Sequence, residues 1–83
     1  MRLVKFDCLI TDLRLPGMGG LELQQKLRAL GSSLPVIVVT SVIDTLSRSR
    51  AMEYGAFSYL TKPVSDDVLI FHLTAALRRS AVQ

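Results

Sequence analysis

The sequence of 83 residues has a single cysteine, Cys8, and no long apolar run. One cysteine cannot form an intrachain disulfide, which is typical of proteins kept in a reducing compartment. No apolar run approaches the roughly 18–20 residues of a membrane-spanning helix, and the first residues lack the pattern of a signal peptide. We therefore expect a cytoplasmic protein with no membrane partner.

The sequence also carries little net charge of one sign. Its formal charge is +3, and its arginines are spread along the chain, which favours a solvated surface over direct binding to nucleic acid. What is abundant is apolar content, at 49% of the residues. A chain of this length and composition predicts one globular domain with a small core.

Short apolar runs alternate with helical patterns along the chain. The runs carry β-branched residues between turn signals, as buried strands do. Strands are predicted at residues 6–11, 36–40 and, more weakly, 57–60. Helices are predicted to end before Gly31 and Gly55, and a last helix begins at Ser65 and ends near Arg79. This alternation predicts an α/β fold whose parallel strands are joined by right-handed crossovers.

Three polar residues fall at the carboxyl ends of the three predicted strands: Asp12, Thr40 and Lys62. In an open parallel sheet these ends meet at one edge, where ligands bind. Asp12 is the one member that is nucleophilic at neutral pH without help. Lys62 can pair with anionic oxygens and Thr40 can donate a hydrogen bond to them. The set predicts a site for an anion, or for a phosphoryl group formed on the carboxylate.

Each of these residues also has an ordinary structural explanation. An aspartate after a strand often caps a turn, a threonine commonly ends a strand, and a lysine is commonly a surface charge. It is the coincidence of the three at one sheet edge that favours a site. A small α/β enzyme with Asp12 as nucleophile has less support because no general base accompanies it, so we expect a protein that is not an enzyme.

At these residues the sequence resembles the receiver domains of two-component response regulators. The resemblance lies in "DLRLPGMGGLEL" from Asp12, "PVIVVTS" through Thr40, and "EYGAFSYLTKP" through Lys62. It extends from about Phe6 to Arg79. It implies a three-layer, flavodoxin-like parallel sheet, here truncated to about three strands and three helices.

The resemblance also implies a role for each matching position. Asp12 would accept a phosphoryl group from a sensor histidine kinase, and Lys62 would hold that group. Thr40 would be the switch hydroxyl and Tyr59 the aromatic switch. The backbone carbonyl of Arg14 would join Asp12 as a ligand of Mg²⁺. The protein would then be a signalling module in a phosphorelay.

Family receivers begin with two further strands and helices, whose acidic pair helps to hold Mg²⁺. Only "MRLVK" precedes the strand of Asp12 here, and Asp7 lies at the opposite end of that strand, about 16 Å away. We therefore expect residues 1–83 to be a partial receiver domain in which Mg²⁺ binds weakly or not at all. Fewer charge-assisted contacts predict phosphorylation slower by at least roughly 10- to 100-fold.

The same comparison makes the strand of Asp12 an edge strand, which invites pairing with another chain. In the last helix, Val68 to Phe71 are four consecutive apolar residues that cannot all face one side. Exposure of some of them on a lone helix is the ordinary alternative. We expect a homodimer. An alternative function is therefore a dimerising interaction module that works without phosphorylation.

Overall fold

The structure is a computed structural model that describes residues 7–14 and 19–82, with only the backbone described for 80–82. Phe6, the predicted start of the first strand, lies outside these residues. The elements in chain order are β1 (Leu9–Thr11), α1 (Gly20–Ala29), β2 (Val36–Thr40), α2 (Thr45–Glu53), β3 (Ala56–Thr61) and α3 (Asp66–Val82). The predicted alternation of strands and helices is therefore confirmed.

The three strands form one parallel sheet in the order β1-β2-β3. Leu9 pairs with Val36 at the start of β1, and Thr40 pairs with Thr61 at the end of β3, so all three strands end on the same side. Within the described residues β1 has β2 as its only neighbour, which makes it an edge strand. Ile10, on this edge, is 45% exposed.

The centre of the core is β2, whose side chains alternate between two covered faces. Val36 and Val38 pack with Ala51 of α2, and with Leu21 and Leu27 of α1. Ile37, on the opposite face of the sheet, is fully buried as well. Helices on both faces explain why the strand is apolar throughout rather than alternating.

The helix α3 covers the face of the sheet opposite α1 and α2. Ser58 of β3 pairs with Ile37 and therefore points to the same face. Its hydroxyl lies 2.7 Å from Nδ1 of His72 on α3. The sheet thus lies between two helical layers, which confirms the predicted three-layer α/β fold.

The helix boundaries follow local capping chemistry, with one correction. Gly31, just after α1, has φ of 78°, where a residue with a Cβ is strained. Asp44 caps α2 by accepting a hydrogen bond from the N–H of Ser47 at 2.8 Å. The last helix ends at Val82 rather than near Arg79, because a run of good helix formers without glycine or proline offers no stop signal there.

Arg28, near the end of α1, connects this helix to the segments before β2 and after α2. The sequence analysis did not predict this role. Its guanidinium donates to the carbonyl oxygens of Ser32 and Leu34, which precede β2. It also donates to the carbonyl oxygens of Tyr54 and Gly55 at the end of α2. One planar group with five donors thereby ties three segments together.

Among the described residues, no helix is long and apolar enough to cross a membrane.

Candidate functional site

The predicted polar residues meet where the three strands end. Asp12 directly follows β1, Thr40 is the last residue of β2, and Lys62 directly follows β3. The backbone N–H of Lys62 donates to the carbonyl oxygen of Thr40 at 2.8 Å, which holds the last two together. The peptide bond between Lys62 and Pro63 is cis.

The carboxylate of Asp12 is held by two donors. Its Oδ2 accepts a hydrogen bond from Nζ of Lys62 at 2.9 Å, and its Oδ1 accepts one from the N–H of Arg14 at 3.0 Å. The two side chains of the ion pair are 22% exposed for Asp12 and 52% for Lys62. A pair this accessible contributes only about 0–1 kcal/mol to stability, so its placement is better explained by ligand chemistry than by folding.

These contacts lower the pKa of Asp12 well below its ordinary value. Lys62 contributes most, followed by the N–H of Arg14 and then the hydroxyl of Thr40. All three favour the charged carboxylate. Asp12 is therefore ionised, and available as a nucleophile, throughout the physiological pH range.

A pH titration should show this electrostatic coupling directly. Because the pKa of Asp12 is lower in the folded state, its contribution to stability is complete above the unfolded value near 3.8 and is lost as the pH falls toward the folded value. We expect the carboxyl carbon of Asp12, followed by NMR, to show a pKa well below the ordinary value of an aspartate. In Lys62→Met its pKa should rise. An Asp12 pKa unchanged by this substitution would contradict the coupling.

Thr40 lies beside the ion pair of Asp12 and Lys62, and it is fully buried. Its Oγ1 accepts a hydrogen bond from the N–H of Val42 at 3.2 Å. A hydroxyl that accepts one bond still has a hydrogen to donate, and that hydrogen is available to oxygens on Asp12. The structure thus brings Thr40 into the group that the sequence predicted.

Tyr59 is connected to the site through the chain after β2. Its ring packs against the cluster of Val36 and Val38. Its hydroxyl donates to the carbonyl oxygen of Val42 at 2.6 Å. Partial burial, and then the charge of Asp44, raise the pKa of Tyr59, so it keeps its proton. Val42 therefore bonds to both predicted switch residues, Thr40 through its N–H and Tyr59 through its carbonyl.

Gly20 is a site residue that sequence reasoning missed. It opens α1 and lies directly against the backbone of Asp12, where a Cβ on residue 20 would come within 2.4 Å of the Asp12 carbonyl oxygen. Its N–H donates to the carbonyl oxygen of Leu13 at 3.2 Å. The pair of glycines 19 and 20 ahead of a helical pattern was the available signal.

The residues of this site do not by themselves form a Mg²⁺ centre. Every Asp, Glu, His and Cys of the chain lies in the described residues, and no three of them are close enough to hold a metal ion. Asp12 is the one carboxylate at the strand ends that Lys62 contacts, and both of its oxygens already accept hydrogen bonds. Mg²⁺ is usually bound through one or two carboxylates, with water and phosphate oxygens completing its octahedral shell. Asp12 and the carbonyl oxygen of Arg14 would supply the protein ligands at this end of the sheet.

Comparison with known proteins identifies this arrangement. Residues 1–74 match the family described as the response regulator receiver domain. The chain belongs to this family. Receiver domains generally act as signalling modules rather than enzymes, and they generally bind Mg²⁺ at an acidic pocket. Response regulators interact with sensor kinases and often dimerise.

Individual relatives support the assignment. The chain is 43% identical over 76 residues to the transcriptional regulatory protein FixJ of Azorhizobium caulinodans, covering 92% of this chain and 36% of that protein. It is also 43% identical over 76 residues to the response regulator RppA of Synechocystis, covering 92% of this chain and 32% of RppA. The chain thus spans about a third of the length of these curated relatives.

Solved receiver domains share the fold. The CheY-like receiver domain protein of Methanospirillum hungatei superposes with a TM-score of 0.85 at 27% identity, over 93% of this chain and 62% of that one. The receiver domain of Francisella response regulator 1452 gives a TM-score of 0.85 at 28% identity, over 93% and 64%. The predicted receiver family and fold are therefore confirmed.

Proposed function

We propose that this receiver domain accepts a phosphoryl group on Asp12 from a sensor histidine kinase. The observation that carries the proposal is the contact of 2.9 Å between the accessible Asp12 carboxylate and Lys62, at the strand ends shared with Thr40. An ionised carboxylate beside a fixed ammonium group suits attack on phosphorus and retention of the anionic product. We also propose a cytoplasmic location, supported by the single cysteine.

The transfer is a simple displacement. One carboxylate oxygen of Asp12 attacks the phosphorus of a phosphohistidine, and the P–O bond forms as the P–N bond to the donor imidazole breaks. The bonding electrons leave with the imidazole, which takes a proton from water. Lys62 then bonds to oxygens of the new phosphoryl group, and Thr40 donates to another of them.

The same contacts support Thr40 and Tyr59 as the switch. When Thr40 turns toward a phosphoryl oxygen, its bond with the N–H of Val42 is weakened. Val42 also accepts the Tyr59 hydroxyl through its carbonyl. A movement of Thr40 is therefore passed through one residue to the ring of Tyr59, which lies on the helical face made by α1 and α2.

We further propose that this chain by itself binds Mg²⁺ weakly. The support is the single carboxylate available at the strand ends and the incomplete oxygen set around it. Phosphorylation of the isolated chain should then be slower, by at least roughly 10- to 100-fold, than that of a receiver domain with a full carboxylate set. Asp12 and the carbonyl of Arg14 would supply the ligands that remain.

A second candidate function is self-association without phosphorylation, as a homodimeric interaction module. It is favoured by the edge of β1 that no other described strand covers, where Ile10 is exposed, and by the exposed apolar residues of α3. The two candidates are compatible in one molecule. They differ in their need for Asp12: phosphoryl acceptance requires its carboxylate, whereas self-association without phosphorylation does not.

Intact-mass spectrometry after incubation with a small phosphodonor and Mg²⁺ tests the first candidate. We expect the protein to gain the mass of one phosphoryl group, and Asp12→Asn to gain none. Asp7→Asn, two residues before β1, is the matched control and should behave like the original protein. If Asp12→Asn gains the same mass, or if the original protein gains none after long incubation, the phospho-acceptor role is wrong.

A further inference from the structure

The outer stripe of α3 is exposed, and the one ring contact it makes among the described residues stays within the helix, where Phe71 meets His72 edge to face with ring centroids 5.5 Å apart. Helical geometry, at about 100° per residue, places Asp67, Phe71, Thr74 and Arg78 within about 60° of one another around the axis. All four are exposed, and Phe71 is 71% exposed. Ile70 and Leu77 of the same helix are also exposed, at 59% and 41%. One exposed apolar residue would need no explanation, but several large ones on one helix are typical of an interaction surface.

The opposite side of the same helix accounts for its attachment to the sheet. Ala76 is fully buried there, and Leu69, His72 and Leu73 are partly buried. These four positions lie about half a turn away from the outer stripe. The exposed stripe is therefore not the face by which α3 packs on the sheet, and within residues 7–14 and 19–82 it stays open to solvent.

The shape of the stripe suits an aromatic side chain. A groove of about 440 Å³ lies beside Phe71 and is lined also by Thr74, Ala75 and Arg78. Thr74 and Ala75 are small, so they leave room next to the ring. A helix that presents a phenylalanine opposite Thr74 would fill this groove.

The charges of the stripe specify the direction of such a helix. Asp67 lies in the first turn of α3, and Arg78 lies eleven residues later on the same side. Neither forms an ion pair with any other described residue, whereas the neighbouring Arg79 lies over the ring of Phe57 at 5.6 Å. An antiparallel helix with the same sequence would bring its own Arg78 to Asp67, and its own Asp67 to Arg78.

We propose that α3 pairs antiparallel with α3 of a second copy about a twofold axis between Phe71 and Thr74. The midpoint of Phe71 and Thr74 is also the midpoint of Asp67 and Arg78, so a single axis satisfies both sets of contacts. Phe71 of each copy then lies against Thr74 of the other, as a self-complementary twofold interface requires. The proposal names the surface used in the self-association given above as the second candidate function.

A charge-reversal series tests this pairing by sedimentation equilibrium over a range of protein concentrations. We expect the original protein to dimerise, and Asp67→Arg or Arg78→Asp alone to raise the dimer dissociation constant by about 10-fold, because each places like charges opposite one another twice. The double variant should restore the original constant. Restoration cannot come from a more stable helix, because both changes oppose the helix dipole.

Two further variants keep the test independent of charge. Phe71→Ala should raise the dissociation constant by at least about 10-fold, since it empties both grooves. Leu30→Ala, which alters an apolar residue 82% exposed at the end of α1, should not change it. Circular dichroism shows whether each variant remains folded.

The sedimentation experiment distinguishes the antiparallel α3 pairing from self-association through any other surface. A chain that is monomeric at every concentration removes both. A dimer that is insensitive to the α3 substitutions, or a double reversal that stays weakened, leaves self-association in place and removes the antiparallel α3 pairing.

Discussion

Replacing Lys62 with methionine is expected to slow phosphorylation of Asp12 by about 100-fold. Methionine keeps the length of the side chain but removes the ammonium group that lies 2.9 Å from the carboxylate. The charge that builds up on the transferred group then lacks its closest positive partner. Because Lys62 is half-exposed and its ion pair stabilises the fold little, the loss should appear in the rate and not in the melting temperature.

The rate is measured by intact mass as a function of time with a small phosphodonor, and Lys26→Met is the matched control. Lys26 lies on α1, where its Nζ is 4.0 Å from Oε1 of Glu22, and its side chain is about as exposed as that of Lys62. It should react like the original protein. Equal rates for Lys62→Met and Lys26→Met would show that Lys62 is only a surface charge, which is the ordinary explanation raised by the sequence.

The second large effect is on folding. Gly20→Ala should lower the free energy of unfolding by about 1–3 kcal/mol, although alanine is intrinsically the better helix former. The added Cβ would lie 2.4 Å from the Asp12 carbonyl oxygen and 3.0 Å from the Asp12 carbonyl carbon and the Leu13 Cα. These are backbone atoms, which cannot change rotamer as a flexible side chain can. The clash can therefore be relieved only if α1 or the segment after β1 moves.

Gly19→Ala is the control for this substitution. Among the described residues, a Cβ at residue 19 would meet the Leu13 carbonyl oxygen at 3.4 Å, an ordinary van der Waals distance. Urea denaturation of both variants should therefore show a large loss for residue 20 and a small one for residue 19. Equal losses would mean that the close approach of α1 to Asp12 is not what requires glycine.

The parts of the fold predicted well from sequence are those that local pattern determines. The strand β2 was predicted with its observed bounds because Val36 to Thr40 is a short β-branched run between turn signals. The convergence of Asp12 with Lys62 was predictable because parallel strands end at a common edge. The parallel order of the strands is enough to bring these two residues together, so their proximity could be predicted without knowing any side-chain contact.

The parts not predicted depend on contacts between distant backbone segments. Gly20 is required by the carbonyl of Asp12, eight residues earlier. The paired glycines 19 and 20 indicate a special backbone position, but they do not identify the segment that approaches it. Arg28 bonds to four carbonyl oxygens in two other segments, and backbone carbonyls leave no sequence signature. For the same reason the link from Thr40 through Val42 to Tyr59 became visible only in the structure.

Locating the phosphoryl group within the chain tests the central claim most directly. After incubation with a phosphodonor and Mg²⁺, borohydride reduction converts an aspartyl phosphate to homoserine, and peptide mass spectrometry identifies the residue converted. The account predicts conversion at Asp12 and at no other carboxylate of the chain. Conversion at Asp7, Asp44 or another acidic residue, or at none, would contradict it.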